Sequence, residues 1–256
     1  VKANGKASNG PVPAEPVLSV RNLRAYYQMQ YFGIDREVRA VDDITLQVNR
    51  NEIYGVAGES SCGKTSLIKT IAAANRPPLN VIGGSVKYSF LDRDIFRMSE
   101  DELSRVRWKH LSYIMQGSMN VLNPVRRIRK SFIDFAFRHI NKPEREFFDI
   151  VARHLERLRL SPSVLKAYPH ELSGGMRQRV TIALATICRP EFIIADEPTT
   201  ALDVVVQKDV LAMIREVQQE MGSSILFVTH DMTVHANMAD RLGIMYAGRL
   251  VEEAPT

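Results

Sequence analysis

Residues 58–65 constrain the fold of this chain more than any other segment. They match the pattern G-x-x-x-x-G-K-[ST], and they lie between a short apolar run, Glu52–Ala57, and a helical pattern, Lys64–Ala74. A glycine-containing loop between a strand and a helix turns tightly enough for successive backbone N–H groups to face an anion, and the helix N-terminus adds a partial positive charge. The sequence therefore predicts a phosphate-binding loop on an α/β scaffold.

The residue types at the end of this loop predict its ligands. Lys64 supplies a positive charge for β- and γ-phosphates, and the Thr65 hydroxyl is an oxygen ligand suited to Mg²⁺. We therefore predict that ATP and Mg²⁺ bind here. The alternative is a chance match in a glycine-containing loop, and the flanking strand and helix weigh against it. The predicted contacts are Gly58, Glu59, Ser60, Ser61, Cys62, Gly63, Lys64 and Thr65.

Two residues inside the loop raise separate questions. Ser61 occupies a position where many such loops carry glycine, and a side chain there is expected to strain the backbone. Cys62 lies next to a helix N-terminus, which lowers the pKa of a thiol and would favour a reactive cysteine. The simpler interpretation is a small side chain packed under the loop, and we favour it.

A second apolar strand ends in two carboxylates. Phe192–Ala195 is followed directly by Asp196 and Glu197. In a parallel sheet such strand ends meet at the ligand-binding edge. Asp196 is therefore a candidate for the Mg²⁺ shell, and Glu197 is a candidate for the group that activates or orients an attacking water. Taken alone, the pattern also fits a strand that continues into a solvated loop.

The remaining pattern predicts an α/β fold with a parallel sheet covered on both faces. Continuous apolar strands alternate with helical segments, and residues 91–172 are predicted to form a mainly helical insertion that begins near a capping box at Ser99–Glu102. The predicted strands are Val17–Tyr27, Val38–Val48, Glu52–Ala57, Phe192–Ala195 and Ser224–Thr229, with a hairpin over Leu242–Val251. The predicted helices are Lys64–Ala74, Lys130–Ile140, Glu144–Leu158, Arg177–Cys188 and one that Asp203 N-caps and that continues to about Met221.

Length and composition limit the classes of protein that fit. The 256 residues suffice for one large domain, which we predict over residues 17–256 after a flexible leader at 1–16. Two cysteines without metal-ligand spacing argue against a disulfide framework and fit a reducing compartment. The net charge of +5 comes from 34 basic and 29 acidic side chains, so a mixed solvated surface explains it as well as a nucleic-acid or membrane partner does.

A third motif distinguishes this chain from other phosphate-binding proteins. Ser173, Gly174 and Gly175 precede a helical pattern just ahead of the acidic strand, and they form a second potential anion site at a helix N-terminus. One chain needs only one such site for its own γ-phosphate. The second site is therefore predicted to face a nucleotide that a partner chain holds.

The order of these motifs strongly resembles that of the ABC ATPases, from about Val17 to Thr256. A glutamine-bearing loop at Gln116 follows the phosphate loop, Asp203 follows the acidic strand, and His230 follows the strand end Phe227-Val228-Thr229. The resemblance implies a P-loop NTPase core with a parallel sheet, an antiparallel β subdomain and a helical insertion.

The resemblance also implies roles for the residues that match. Tyr27, or its neighbour Tyr26, would stack on adenine, with Tyr27 better placed by spacing. Gln116 would contact Mg²⁺ and the attacking water, and His230 would touch the γ-phosphate. Asp203, like the serine and glycines of the third motif, would belong to the nucleotide site.

Three segments resemble the dipeptide/oligopeptide importer branch of this family: Met176–Arg179, Met119–Pro124, and Pro198–Val204 with Gln207. The branch implies a second ATPase subunit, paralogous or identical, two integral membrane permease subunits and an extracellular solute-binding protein. It also implies a peripheral location on the cytoplasmic face of the cell membrane, peptides or oligosaccharides as solutes, and a longer C-terminal region after Thr256.

Two other functions compete with this interpretation. A P-loop kinase or GTPase would lack the motif at Ser173. A soluble ABC ATPase that acts on DNA or the ribosome would carry a long heptad-repeat arm or two cassettes, and the sequence shows neither. The basic run Arg126–Lys130 has no interleaved aromatic residues, so we predict no nucleic-acid partner.

Overall fold

The computed structural model describes residues 16–114, 122–200 and 202–256, and these residues contain two β-sheets. A three-stranded sheet has the order β2-β1-β4, and a six-stranded sheet has the order β5-β6-β7-β3-β8-β9. The strands are β1 (Pro16–Tyr31), β2 (Ile34–Asn49), β3 (Ile53–Ala57), β4 (Leu79–Tyr88), β5 (Leu111–Ile114), β6 (Phe192–Asp196), β7 (Ser224–Val228), β8 (Arg241–Tyr246) and β9 (Arg249–Pro255).

The six-stranded sheet forms the core of the chain and confirms the predicted α/β class. Strands β5, β6, β7, β3 and β8 are parallel to their neighbours, and only β9 is antiparallel, to β8. Every residue of β3, β6 and β7 is buried, as expected for strands covered by helices on both faces. Because these three strands are adjacent and parallel, the loops after their carboxyl ends meet at one edge.

The three-stranded sheet is antiparallel and packs beside the core sheet. Strand β1 pairs with β2 on one side and with β4 on the other. Buried and exposed residues alternate along the second half of β2, so one face of this sheet enters the core. That face shares a hydrophobic cluster with β3 and with the first helix, which fixes β1 and β2 next to the phosphate loop.

The helices of the described residues are α1 (Lys64–Ile71), α2 (Glu100–Val106), α3 (Ile128–Phe135), α4 (Glu144–Arg157), α5 (Gly174–Thr186), α6 (Val204–Met221) and α7 (Met232–Met238). Local chain chemistry explains two of their starts. Ser99 and Glu102 form the predicted reciprocal capping box of α2. The Asp203 carboxylate caps α6 by accepting a hydrogen bond from the Val206 amide. No helix of these residues is both long enough and apolar enough to cross a membrane.

The structure differs from the sequence predictions in several elements. The interval 91–172 is not uniformly helical, because β5 lies within it and pairs with β6 in the core sheet. A segment of four residues is too short to show a periodicity that separates a strand from a helix. Strand β4 and helix α7 were not predicted, and α3 begins at Ile128 and ends at Phe135 rather than spanning Lys130–Ile140. The leader predicted over 1–16 lies outside the described residues except for Pro16, with which β1 begins.

Candidate nucleotide-binding site

A cleft of about 600 Å³ lies where the phosphate loop meets the antiparallel sheet. The loop forms one wall, strands β1 and β2 form another, and Glu197 reaches it from the carboxyl end of β6. Its lining residues are Tyr27, Val38, Arg39, Ala40, Ser60, Ser61, Cys62, Gly63, Lys64, Thr65, Ser66, Glu197, Ala247 and Gly248. Most of the predicted phosphate loop therefore faces a single space large enough for a nucleotide.

Close backbone packing holds the phosphate loop in place. Gly63 precedes α1 with a φ of 108°, and a Cβ at this position would collide with the carbonyl oxygen of Ala40 on β2. A Cβ at Gly58 would collide with the Met245 carbonyl oxygen on β8. The two glycines of the motif are thus required by close approach to neighbouring strands as well as by the turn.

Lys64 is 7% exposed, and its ammonium group lies inside the loop. The Nζ atom donates to the carbonyl oxygens of Gly58 and Glu59, both at 2.7 Å. It also lies 3.7 Å from the Cys62 sulfur, which is buried beneath the loop as the packing interpretation of that cysteine requires. The carbonyl oxygens of the loop thus hold the Lys64 ammonium group, and Lys64 lines the cleft in which a phosphate would bind.

Ser61 adopts a left-handed conformation with a φ of 64°, which agrees with the expected strain at this position. A side chain in this region costs about 1–2 kcal/mol, and a β-branched residue costs more. We expect Ser61→Val to lower the Tm by roughly 2–4 °C per kcal/mol lost, and to weaken ATP binding as well. Ser61→Gly should leave both quantities unchanged or improved. Thermal unfolding with and without ATP measures both, and equal behaviour of the two variants would contradict the strain argument.

Asp196 ends β6 as a buried carboxylate, 2% exposed. Burial, and secondly the neighbouring charge of Glu197, raise the pKa of Asp196 to about 6, while Lys69 and Lys64 oppose this shift. The hydroxyl of Tyr113 on β5 donates to Asp196 Oδ2 at 3.3 Å. Asp196 therefore lies close enough to Lys64 of the phosphate loop for their charges to interact, although it is not among the residues that line the cleft.

These oxygen donors fit a magnesium ion. No group of three or more His, Cys, Asp or Glu side chains that could hold a metal alone is found among the described residues. Magnesium is commonly held by one or two carboxylates together with substrate phosphates. The Asp196 carboxylate and the Thr65 hydroxyl are donors of that kind. Gln116, the third predicted ligand, lies outside the described residues.

Glu197 and His230, the two other predicted catalytic residues, are in direct contact. His230 Nδ1 lies 3.0 Å from Glu197 Oε1, and the Thr200 hydroxyl donates to Glu197 Oε2 at 2.9 Å. The Glu197 amide donates to the carbonyl oxygen of Val228 on β7, and its φ is 45°. The side chain of Glu197 is 15% exposed and lines the cleft, whereas that of His230 is 63% exposed and is absent from the lining.

The two candidate adenine platforms occupy different environments. Tyr27 lines the cleft, and its hydroxyl lies 3.1 Å from the Ser66 hydroxyl on α1. Tyr26 points to the other face of β1, is 7% exposed, and donates to Asp42 Oδ1 at 2.6 Å. Only Tyr27 of the two is therefore available to a ligand in the cleft.

The motif at Ser173 lies away from this cleft. Ser173 is exposed and caps α5 by accepting from the Met176 amide at 3.3 Å. Gly175 packs against the start of α6, since a Cβ there would lie 2.8 Å from Val206 Cγ1. Ser173, Gly174, Gly175 and Asp203 are all absent from the cleft lining. The Ser173 motif and the phosphate loop therefore do not line one common space.

Comparison with known proteins identifies the family. Residues 41–200 match the family described as ABC transporter. The oligopeptide transport ATP-binding protein OppD of Escherichia coli (strain K12) is 38% identical over 93% of this chain and 69% of its own length. The dipeptide transport ATP-binding protein DppD of Bacillus subtilis (strain 168) is 36% identical over 93% and 70%. This chain belongs to the ABC transporter family.

Solved structures agree with this fold. The dimeric bacterial ABC transporter cassette MJ0796 superimposes with a TM-score of 0.79 at 23% identity, covering 93% of this chain and 98% of the cassette. Its post-hydrolysis state bound to ADP and Pi gives a TM-score of 0.78 with the same coverage. The predictions of an ABC ATPase and of resemblance to the peptide-importer branch are confirmed. None of these relatives is named for an action on nucleic acid or the ribosome.

Some residues of this ABC site were missed by sequence reasoning. Tyr113 contacts Asp196 across 83 positions, and Thr200 orients Glu197. Arg39, Ala247 and Gly248 line the cleft from elements that carry no phosphate motif. The turn after β8 was predicted as a hairpin, but no sequence signal indicates that this hairpin lies beside the phosphate loop.

Proposed function

We propose that this ABC ATPase powers peptide uptake, and that its active site is completed by a second ATPase chain. The relatives with peptide-transport names support the solute class. The position of the Ser173 motif supports the shared site, because it is exposed and does not line the cleft of its own chain. A helix N-terminus that its own nucleotide does not use is free to bind the γ-phosphate of a nucleotide on a partner.

We assign roles in the cleft and around it by position and chemistry. Tyr27 supports the adenine ring, Lys64 and the loop amides bind the phosphates, and Asp196 with Thr65 holds Mg²⁺. When bound, Mg²⁺ neutralises phosphate charge that develops during hydrolysis. Glu197 orients and deprotonates the attacking water, and His230 holds Glu197 in position while facing the γ-phosphate. Gln116 remains a predicted ligand of Mg²⁺ and water.

The shared site can be tested by complementation. A Ser173→Arg chain keeps its phosphate loop, and a Lys64→Ala chain keeps its Ser173 motif, so a mixed dimer has one complete site. Each variant alone should be nearly inactive. An equal mixture of randomly pairing chains should recover on the order of a quarter of the parental rate. If the partner is a paralogue, the same cross is made with the paralogue's variants in the complete transporter.

The matched control for Ser173→Arg is Ser99→Arg. Ser99 is also an exposed N-cap serine, at the start of α2, so this control loses a similar cap and gains a similar side chain. It should hydrolyse ATP at the parental rate. The decisive test uses a transporter in which the partner chain carries the one intact phosphate loop, so that the shared site there needs Ser173 of this chain. Normal hydrolysis by Ser173→Arg in that transporter would contradict the shared site.

The remaining assembly follows from this function. We propose two membrane permease subunits, an extracellular solute-binding protein, and a peripheral position at the cytoplasmic face of the membrane. Co-purification from membranes tests these partners. Stimulation of ATP turnover in the reconstituted transporter by binding protein loaded with peptide, but not with oligosaccharide, tests the solute class. Stimulation by oligosaccharide alone would overturn it.

A further inference from the structure

A buried histidine on α7 links three parts of the active-site edge. His235 is 0% exposed, and its Nε2 atom lies 3.1 Å from the carbonyl oxygen of Thr229, directly before His230. Its ring packs edge-on against Phe227 of β7, with 6.0 Å between ring centroids. On the opposite side it faces Gly55 of β3, the strand that leads into the phosphate loop.

The surroundings determine the protonation of the ring. Burial lowers the pKa of His235 against the weaker opposing effect of the Thr229 and Val56 backbone, which favours the neutral ring with one N–H group. The Thr229 carbonyl is an acceptor only, and Nε2 must therefore be the donor. Nδ1 is buried and makes no hydrogen bond of acceptable geometry, although the Val56 backbone lies near enough to influence the ring. A Cβ at position 55 would lie 2.6 Å from Nδ1, so this ring fits only because residue 55 is glycine.

The hydrogen bond from His235 acts on the turn that carries His230. Within that turn, the Asp231 amide donates to the Thr229 hydroxyl at 3.2 Å. The Asp231 carboxylate caps α7 by accepting from the Thr233 amide at 2.8 Å. The cap and the His235 bond hold the two ends of the turn to one short helix. His230, between them, reaches Glu197 at 3.0 Å.

We propose that His235 is a positioning residue for hydrolysis: by binding the Thr229 carbonyl from within the core, it holds the 229–231 turn so that His230 meets Glu197. This inference rests on the catalytic roles proposed above for Glu197 and His230. His235 itself lies behind the strand ends and lines no part of the cleft.

A purely structural role and a positioning role for His235 predict different effects of substitution on Tm and kcat. At a fully buried site, an unpaired ring nitrogen is unfavourable for folding, and an apolar side chain of similar size removes that cost. The variant also leaves the buried Thr229 carbonyl without this donor, which opposes that gain, so we expect the Tm of His235→Leu to stay within about 4 °C of the parental value. The same variant loses the bond to Thr229, and because small displacements of catalytic groups are costly, its kcat should fall about tenfold.

The experiment measures kcat, KM for ATP and Tm for His235→Leu and His235→Gln, under conditions in which the parental chain is fully assembled. The KM of His235→Leu should stay within about twofold of the parental value, because the phosphate loop is untouched. The side-chain amide of the introduced glutamine can replace the Nε2 donor, so His235→Gln should recover most of the kcat. His235→Met provides a second apolar replacement should His235→Leu not fold.

Two results from the His235 variants themselves would overturn the proposal. One is a parental kcat in both apolar variants, and the other is a parallel loss of kcat, ATP affinity and Tm, which marks a structural role. A His230→Ala background separates the proposal from the function on which it rests. With His230 absent, His235→Leu should cause no further loss of kcat. Full activity of His230→Ala alone would instead remove His230 from the mechanism, and the proposal with it.

Discussion

Glu197→Gln is expected to lower steady-state ATP turnover by a factor of about 10² or more while ATP binding persists. The substitution removes the negative charge and the basicity that an attacking water needs. The glutamine keeps the size of the side chain and can still accept from the Thr200 hydroxyl, which lies 2.9 Å from the carboxylate. The site should therefore stay assembled, and ATP should trap a long-lived dimer of ATPase chains.

Steady-state phosphate release and size-exclusion chromatography with ATP measure these two effects. Glu191→Gln is a matched control, because Glu191 lies at the opposite end of β6 and pairs with His110 at 2.9 Å, far from the phosphate loop. The control should retain the parental rate. Undiminished turnover in Glu197→Gln would exclude Glu197 from the mechanism and leave His230 without its assigned partner.

Lys64→Ala is expected to weaken ATP binding by about 100-fold or more, since a charge-assisted contact to phosphate is lost inside a shielded loop. The Lys64 side chain is almost fully buried and its ammonium group is held at the loop carbonyls, so the substitution removes a charge from inside the assigned pocket. The loop geometry depends mainly on Gly58 and Gly63, and the variant should remain folded.

Isothermal titration with ATP and a thermal unfolding curve check this expectation. Lys69→Ala is the control, because Lys69 is an exposed lysine on the same helix, α1. It removes an equal charge from the neighbourhood, and its effect on ATP affinity should be several times smaller. Equal losses in the two variants would show that general electrostatic attraction, rather than the assigned loop, governs binding.

Elements with a strong local signal were predictable from the sequence. The phosphate loop, the fully buried strands β3, β6 and β7, and the caps at Ser99 and Asp203 depend on neighbours within a few positions. Strand β5 was missed because its four residues are too few to show a period. Its place at the edge of the core sheet also brings Tyr113 to Asp196, a contact that no local pattern indicates.

What the sequence by itself determined is therefore the set of chemical groups: a phosphate loop, two carboxylates at a strand end, a capped helix at Ser173 and a histidine after β7. Only the tertiary structure decided which of these groups meet. The strand order β6-β7-β3 brings Glu197 to His230, which is 33 positions away in sequence. His235 packs against β7 and β3, and Ser173 lies outside the cleft. The physical reason is that strand pairing and helix packing are long-range choices, made by burial of the whole core. Periodicity and capping act only over a few residues.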